Sequence, residues 1–502
     1  MIRPKLGLFR SRNLQKWWWL ALIPTAWFSL FWRLGALPLQ SWDESLLAVS
    51  AAEMLRNHQW FLTYFGGAPD LWNTKPPLLI WLQALSLHTF GYSEWALRLP
   101  TALAATALVV VVASFARRWL GGPLAGLLAG LALLSSKGFV AHHVARTGDY
   151  ETLLLLFTTS QVLAVFAWLQ TRQRRYLLLA GGAIGLAILT KGVAGLFLVP
   201  GLALEVLRRR KLPGLLREPA TWVAVLLAVG PPLVWYTLRE QMLPGYLAAV
   251  WQNELGGRLL ENLEQQSGPW YTYLLHFVTQ QFLLWTPWVV ACIWAIARRP
   301  IQRPAHRFLA VVAWSGGVFL GLISVSATKH TWYDAPLYPL LALLLGAGLP
   351  MLARQTAVRV SWRNALVLEA SVLMLAVVPS LAAVYIRLNK THKHRHDEPM
   401  LAYGRYLQHP GATPARSYTL LHTTADRGSS GYNAPLEFHA LARRAQFSDT
   451  VNVVFKATTL PPGQVVLLCG AAARNALIQR YATRLLYQAD SCATYQIQRR
   501  LE

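Results

Sequence analysis

The sequence is poor in charge, and acidic residues are especially few. Only 14% of its 502 residues are charged, and 22 Asp and Glu stand against 47 Lys and Arg. The hydrophobic content is 54%, including 22 Trp, and the mean hydropathy is +0.33. A soluble domain of this size could not cover so much apolar surface, so the composition predicts a polytopic membrane protein.

The excess of basic residues does not indicate a nucleic-acid partner. A net charge of +25 would suggest one in a soluble chain. Here the Lys and Arg residues stand in short clusters between apolar runs, and such clusters report membrane topology. We therefore expect membrane lipids, and no nucleic acid, around the chain.

Cysteine is almost missing as well. The three cysteines exclude a disulfide-rich scaffold, and they show no zinc-ligand spacing. Cys292 stands in an apolar run, whereas Cys469 and Cys492 are close to the C-terminus. These two either pair or remain as two buried thiols.

Eleven apolar runs are long enough, at roughly 20 residues each, to cross a bilayer. Two of them share the stretch 176–207, which divides at Thr190-Lys191-Gly192. The basic N-terminus precedes a long run without a small-residue cleavage site, so we expect an uncleaved first helix. The runs lie near 17–37, 98–116, 121–139, 151–169, 176–207, 220–238, 272–297, 308–326, 335–353 and 363–386.

The apolar segment 76–91 decides the orientation of the rest of the chain. If it lies along the membrane, nearly all the basic loop clusters fall on the side of the N-terminus, as the positive-inside rule requires. The outer side then carries loop 38–97, residues 142–151, Lys191, loop 239–271 and residues 328–334. The clusters are Arg117-Arg118, Arg172 to Arg175, Arg208 to Lys211, Arg298 to Arg307 and Arg354 to Arg363.

The composition changes near residue 390 to that of a soluble domain. We therefore predict a transmembrane domain over 1–389, with an amphipathic outer loop 38–97, and a small α/β domain over 390–502 on the same outer side. Alternating patterns predict strands at 418–422, 451–455, 464–469 and 494–498, and helices at 399–408, 435–446 and 471–487.

Two adjacent carboxylates, Asp43 and Glu44, follow the first apolar run. Carboxylates at a membrane surface are costly to keep unless they bind or react with something. Either one could act as a general base that takes a proton from an acceptor hydroxyl. The alternative for Asp43 is an N-cap of the amphipathic helix that begins there.

Other polar residues are expected on the same side. Lys75 precedes two prolines that stiffen the backbone, and its ammonium suits a lipid-linked phosphate; a snorkelling lysine is the alternative. A second group, in which the alternative is a solvated helix end, comprises Arg146, Asp149 and Glu151 with His142 and His143. For Lys191 the alternative is a lysine in an ordinary turn. For Lys329 with Tyr333 it is an interfacial anchor.

These motifs resemble the C-type glycosyltransferases of the dolichyl-phosphate-mannose protein mannosyltransferase and aminoarabinose transferase superfamily. The resemblance covers about the first 350 residues in the order of the family. It is carried by Trp42-Asp43-Glu44, Lys75-Pro76-Pro77-Leu78, Ser93 to Pro100, Ala145-Arg146-Thr147-Gly148-Asp149, Leu189-Thr190-Lys191-Gly192, and Lys329 with Tyr333 and Tyr338-Pro339.

The resemblance implies roles for single residues. Asp43 would be the catalytic base, Asp149 the second acidic residue of the cavity, and Lys75 a ligand of the donor phosphate. Lys329 and Tyr333 fall where the last outer loop approaches the donor. Arg146 and Lys191 complete the cations expected around the phosphate, and Glu44 is the alternative base.

The expected reaction is inverting transfer of one sugar from a polyprenyl-phosphate donor to a hydroxyl of lipid A, another glycolipid or a protein. We expect no metal and no other cofactor, a monomer, and a bacterial inner membrane location with the site on the periplasmic face. One rival is a transporter or flippase, although no internal repeat is evident. An oligosaccharyltransferase acting on Asn is another, but its Trp-Trp-Asp type signature is absent.

Overall fold

The computed structural model describes residues 18–41, 43–140, 143–257, 267–357, 362–390, 399–407, 411–421, 433–454 and 459–501. Trp42 and His142 lie outside these ranges. A helical part extends to Lys390, and a part that contains a β-sheet begins at Pro399. The predicted fold class, a helical membrane protein with a C-terminal α/β domain, is confirmed.

The helical part consists of apolar helices and a two-stranded hairpin. Its elements are α1 (Leu22–Phe31), α2 (Asp43–Asn57), β1 (Tyr64–Phe65), β2 (Ala68–Pro69), α3 (Leu78–Phe90), α4 (Glu94–Gly121), α5 (Pro123–Leu134), α6 (Lys137–Val140), α7 (Glu151–Thr171), α8 (Arg174–Lys191), α9 (Val199–Arg208), α10 (Leu212–Arg217), α11 (Pro219–Met242), α12 (Tyr246–Val250), α13 (Thr272–Gln281), α14 (Thr286–Ala297), α15 (Pro304–Val325), α16 (Leu337–Ala357) and α17 (Trp362–Lys390).

Seven helices within the described ranges are long and apolar enough to cross a membrane: α4, α7, α8, α11, α15, α16 and α17. The shorter α1 and α5 coincide with two more of the predicted runs.

The stretch 176–207 divides where expected, because α8 ends at Lys191 and Gly192 has a φ of 54°. The number of eleven crossings stays a prediction. Helix α3 has 13 residues, or roughly 20 Å, which is too short to cross a bilayer.

The run 272–297, predicted as one span, consists of two helices. Helices α13 and α14 meet at an angle of 109°. Pro287 occupies the first turn of α14, where its missing N–H is tolerated, whereas a straight helix through this position would lose a hydrogen bond. The bend brings Gln280 and Gln281 to one end of the bundle.

Close helix packing near the site depends on two glycines of α8. A Cβ added to Gly181 would lie 2.2 Å from the backbone oxygen of Ala224 in α11, and one added to Gly185 would lie 2.3 Å from that of Leu227. Small residues four positions apart are the common way for membrane helices to approach each other. This contact fixes α8, and with it Lys191, against α11.

Helix α2 is the buried centre of the non-spanning segment. Its apolar residues, including Leu47, Val49 and Met54, pack against α3 and α4 and against a helix of the C-terminal part, α19 (Ala434–Phe447). Burial on both sides holds the start of α2, where Asp43 and Glu44 lie.

The C-terminal part is a five-stranded sheet with helices. Parallel strands β3 (Ser417–Leu421), β4 (Thr450–Val454) and β5 (Val465–Cys469) are followed by β6 (Tyr481–Ala489) and β7 (Cys492–Arg500), in the order β4-β3-β5-β7-β6. The helices are α18 (Pro399–Tyr406), α19 and α20 (Ala471–Arg480).

The predicted helix 471–487 is wrong beyond Arg480. Residues 481–489 form β6, which pairs antiparallel with β7 through a turn at Asp490, where φ is 49°. Pairing along the neighbouring strand overrides the local sequence preference at such an edge position. The four predicted strands are confirmed, and the ends that can be compared are shifted by one or two residues; His422 and Phe455, the predicted last residues of two strands, lie outside the described ranges.

Cys469 and Cys492 form a disulfide, so the first of the two alternatives is correct. The two residues are direct partners in the antiparallel ladder between β5 and β7. Cys292 is a buried free thiol in α14.

Candidate active site

Glu44 is a buried structural carboxylate at the first turn of α2. Arg98 of α4 donates to both of its oxygens, at 2.6 and 2.8 Å. The backbone N–H groups of Gln40 and Gly148 donate to the same carboxylate at 2.8 and 2.7 Å. The ion pair therefore joins the segment before α2 to the loop that carries Asp149.

Asp149 and His143 form the second acidic element. His143 Nδ1 lies 2.9 Å from Asp149 Oδ2, and the backbone N–H of Tyr150 donates to Asp149 Oδ1 at 2.7 Å. Burial alone raises the pKa of Asp149, but the hydrogen bond and charge of His143 and the charge of Lys191 outweigh it and lower this pKa to about 2. Burial alone lowers the pKa of His143, but Asp149 outweighs it and raises this pKa. The pair thus favours an imidazolium beside a carboxylate.

Asp43 joins this pair. One ligand atom each of Asp43, His143 and Asp149 lies within 4.8 Å of the other two. Asp43 is only partly buried, whereas Asp149 is 2% exposed. A divalent cation could bridge the three groups at this spacing, so the expectation of a metal-free site stays a prediction.

Lys191 occupies a buried position next to the carboxylates. It forms an ion pair with Glu151, and its Nζ lies 5.6 Å from the centroid of the Tyr333 ring. Lys191 and Glu151 are 8% and 2% exposed. The alternative of an ordinary turn lysine is therefore wrong for Lys191, and the alternative of a solvated helix end is wrong for Glu151.

Lys75 lies over the face of Tyr150, with Nζ 5.7 Å from the ring centroid. It also lies 3.6 Å from Glu254, which accepts a hydrogen bond from Thr74 at 2.8 Å. The Lys75 side chain is 15% exposed and thus does not snorkel to water. Because Tyr150 follows Asp149 directly, Lys75 belongs to the same cluster.

Two of the expected phosphate ligands point elsewhere. Arg146 donates to the backbone oxygens of Ser29 and Trp32 at 3.1 and 2.6 Å, which ties it to the end of α1. Lys329 donates to the backbone oxygens of Ser324 and Ser326 at 2.8 and 2.5 Å and so closes the end of α15. These contacts do not support a phosphate-binding role for either residue.

Sequence reasoning missed Glu254 and left His143 and Glu151 without roles. Glu254 stands in a predicted loop without any motif around it, so only its contact with Thr74 and Lys75 identifies it. His143 has a φ of 69°, and its ring stacks on Trp332 with centroids 3.7 Å apart. No sequence pattern signals that contact.

We refer to Asp43, His143, Asp149, Glu151, Lys191, Tyr333, Tyr150 and Lys75 as the carboxylate cluster. Its members come from the beginnings of α2 and α7, the end of α8, and the segments before α3, α7 and α16. All these positions lie at helix ends or in connecting segments. The arrangement places these charged groups together at helix ends.

Known proteins are similar to this chain in sequence and in fold. The family model described as dolichyl-phosphate-mannose-protein mannosyltransferase matches residues 74–235. The undecaprenyl phosphate-alpha-4-amino-4-deoxy-L-arabinose arabinosyl transferase 2 of Pseudomonas fluorescens is 27% identical over 77% of this chain and 64% of its own length. The lipid A galacturonosyltransferase RgtD of Rhizobium johnstonii is 29% identical over 52% of each chain. The chain thus spans less than two thirds of the length of these curated relatives.

The fold is shared with a solved structure over almost the whole chain. The crystal structure of ArnT from Cupriavidus metallidurans bound to undecaprenyl phosphate superimposes with a TM-score of 0.68 at 18% identity, covering 95% of this chain and 97% of that one. The family match, the relatives and this shared fold agree with the resemblance to the C-type glycosyltransferases of the protein mannosyltransferase and aminoarabinose transferase superfamily.

Proposed function

We propose that the protein transfers one sugar from a polyprenyl-phosphate donor to an acceptor hydroxyl, with inversion at the anomeric carbon. The acceptor oxygen forms a bond to that carbon while the bond to the phosphate oxygen breaks. Asp43 takes the hydroxyl proton, and the polyprenyl phosphate leaves. The observation that carries the proposal is a partly exposed carboxylate, Asp43, beside the pair of His143 and buried Asp149, with two lysines in the same cluster.

Asp43 is the carboxylate best placed to act as the base. Glu44 is held by Arg98 and two backbone N–H groups, and Asp149 is held by His143 and the N–H of Tyr150. Both are buried, whereas Asp43 is partly exposed. We therefore assign Glu44 and Asp149 to positioning and to the electrostatics of the cluster.

Lys75 and Lys191 are the cations that would bind the donor phosphate. Each lies against an aromatic ring, Tyr150 for Lys75 and Tyr333 for Lys191. A fixed cation near the departing oxygen offsets the charge that develops there, a large contribution to catalysis in such sites. Glu254 pairs with Lys75 in the structure, so an incoming phosphate would compete with this carboxylate.

The relatives suggest the chemical class of the substrates. Their names specify an undecaprenyl-phosphate-linked amino sugar as a donor and lipid A as an acceptor. We propose an undecaprenyl-phosphate sugar as donor and lipid A, another glycolipid or a protein as acceptor. Mass spectrometry of envelope lipids and proteins with and without the gene tests this. An unchanged set of glycans in both fractions would contradict transfer.

Replacing Lys75 by Ala should weaken the binding of undecaprenyl phosphate by about tenfold or more, because one charged hydrogen bond is lost. Binding to the purified protein without acceptor measures this directly. Lys211, an exposed lysine in the connection after α9, provides the matched control Lys211→Ala. Unchanged affinity in Lys75→Ala would place the phosphate at Lys191 instead.

We further propose that the carboxylate cluster and the C-terminal domain lie on the periplasmic face of a bacterial inner membrane. Cysteines introduced at the exposed positions Gln59 and Gln479 should both react with an impermeant thiol reagent in intact spheroplasts. A cysteine at exposed Gln302, between α14 and α15, should be protected until the membrane is opened. Protection of only one of the first two would contradict the topology.

A further inference from the structure

Four large apolar side chains are exposed beside the β1–β2 hairpin, and we refer to them as the aromatic edge. The backbone N–H of Asp70 donates to the oxygen of Thr63 at 2.9 Å, so the chain segments before and after the hairpin run side by side. A contiguous apolar patch on a protein surface marks a contact surface. The members of the aromatic edge are Trp60, Phe61, Leu71 and Trp72, which are 43, 43, 38 and 78% exposed.

Hydrogen bonds hold the aromatic edge in place. The backbone N–H of Trp72 donates to Asp70 Oδ1 at 2.8 Å, and the N–H of Thr74 donates to the backbone oxygen of Trp72 at 2.9 Å. On the other segment, Trp81 Nε1 of α3 donates to the backbone oxygen of Trp60 at 2.7 Å. The backbone of the edge is therefore fixed before any partner binds, which lowers the entropy cost of a contact.

The hairpin is tied to the end of a helix that is long enough to cross a membrane. Arg239 of α11 is 1% exposed and donates to Thr63 Oγ1 at 2.9 Å and to the backbone oxygen of Asp70 at 2.8 Å. From Pro219 to Arg239 the helix rises roughly 30 Å, about the thickness of the hydrocarbon core. These bonds place the aromatic edge where α11 leaves that core, the level at which Trp is favoured.

The aromatic edge continues the apolar surface of α11. Only 22% of the spanning window of this helix is buried, and its exposed side chains are apolar along its length. They include Leu226, Val229, Leu233 and Met242. A patch that extends the lipid-facing side of a spanning helix, and that ends in indole rings, fits the interface of a bilayer.

We infer that the aromatic edge is immersed in the lipid headgroup region and fixes the depth of Lys75. Lys75 follows Trp72 by three residues, and the bond from Thr74 to Trp72 shortens the connection between them. The indole rings thereby hold the Lys75 ammonium at the level of the lipid phosphates, where a polyprenyl phosphate carries its charge. This role of Lys75 rests on the proposed function. Trp60 and Trp72 are positioning residues, and they act without touching the donor.

An environment-sensitive fluorescent label at position 72 tests the immersion without any turnover. Cys292 is buried and the other two cysteines are paired, so a thiol reagent labels the introduced cysteine of full-length Trp72→Cys. In vesicles of phosphatidylethanolamine and phosphatidylglycerol, lipids brominated near the headgroup should quench this label, and aqueous iodide should quench it little. Gln479→Cys, at an exposed position of the C-terminal domain, is the control and should respond to iodide alone. Equal iodide quenching at both positions overturns the immersion.

A second experiment tests the effect on Lys75. The double variant Trp60→Ser with Trp72→Ser should transfer sugar about tenfold more slowly or worse in these vesicles, because a small misplacement of a binding group is costly. In detergent, where the lipid has no fixed plane, its affinity for undecaprenyl phosphate should stay within about twofold of the wild type, which also shows that it is folded. Trp72→Phe keeps an apolar ring and should retain most of the transfer.

Trp222→Ser is the matched control. Trp222 is 60% exposed and lies near the beginning of α11, far along the helix from the aromatic edge. Its replacement should leave the rate of transfer in vesicles unchanged. A loss as large as in the double variant would show a general effect of removing surface Trp and would refute the positioning of Lys75.

The remaining outcomes separate the occupants of the aromatic edge. A label that neither brominated lipid nor iodide quenches lies against protein, which overturns the immersion. A tenfold loss of undecaprenyl phosphate affinity in detergent means that the edge binds the donor itself, which overturns the positioning role. An immersed label with normal transfer by the double variant overturns that role as well. Wild-type transfer with the label in water refutes only the immersion, and an immersed label without any wild-type transfer refutes only the proposed function.

Discussion

Replacing Asp43 by Asn is expected to lower the rate of sugar transfer by about 10² to 10⁴, the usual effect of losing a general base. Asn keeps the size of the side chain and can still cap α2, but it cannot accept the hydroxyl proton. Binding of undecaprenyl phosphate should remain near the wild-type value, because the proposed phosphate ligands are Lys75 and Lys191. Single-turnover transfer and equilibrium binding separate these two quantities.

Asp149→Asn is the matched control within the same cluster. It removes the partner of His143 but leaves Asp43 in place, so some transfer should remain. Chelation by EDTA separates a base from a metal ligand, since proton transfer to Asp43 proceeds equally in its presence. Near-normal transfer by Asp43→Asn would mean that Asp43 only caps α2 and that another carboxylate is the base.

Replacing Arg98 by Met should destabilise the protein by about 3–5 kcal/mol, the usual result of breaking a buried ion pair from one side. Arg98 is 1% exposed and donates to both oxygens of Glu44. It also donates to the backbone oxygens of Leu34, Leu37 and Pro38 at 2.9, 2.8 and 3.0 Å. Its loss leaves Glu44 charged and poorly compensated in a buried site.

Unfolding of the detergent-solubilised protein measures this loss. Arg174→Met is the matched control, because Arg174 is 70% exposed in its pair with Glu218 and such pairs contribute about 0–1 kcal/mol. The double variant Glu44→Gln with Arg98→Met should lose less than the sum of the single variants. A loss in Arg98→Met as small as in Arg174→Met would contradict a structural role of the pair.

The sequence predicted which charged residues form the candidate site better than it predicted their contacts. Charged residues beside long apolar runs are conspicuous, so Asp43, Lys75, Asp149 and Lys191 could be selected before the fold was known. The partners of Arg146 and Lys329 are backbone oxygens, which have no signature in a sequence. Both residues therefore looked like phosphate ligands while their contacts are structural.

The departures in the fold have a similar cause. The run 272–297 is mostly apolar, and its mean hydropathy does not show the bend of 109° between α13 and α14. Residues 481–489 follow a helix without a break and become a strand because β7 is available for pairing. Long-range pairing decides the strand, whereas the only local sign of the bend is Pro287 in the first turn of α14.

The packing of α19 on α2 bears on how this protein could be re-engineered. His439 of α19 packs against Gly404 and lies 3.7 Å from Glu94, at the start of α4. An exchange of the C-terminal domain for that of a relative would cut through this contact and uncover the apolar side of the helix that begins with Asp43. A functional chimaera would therefore have to take α2 and the start of α4 from the same relative as the new domain. These parts of the chain are distant in sequence but would have to be exchanged together.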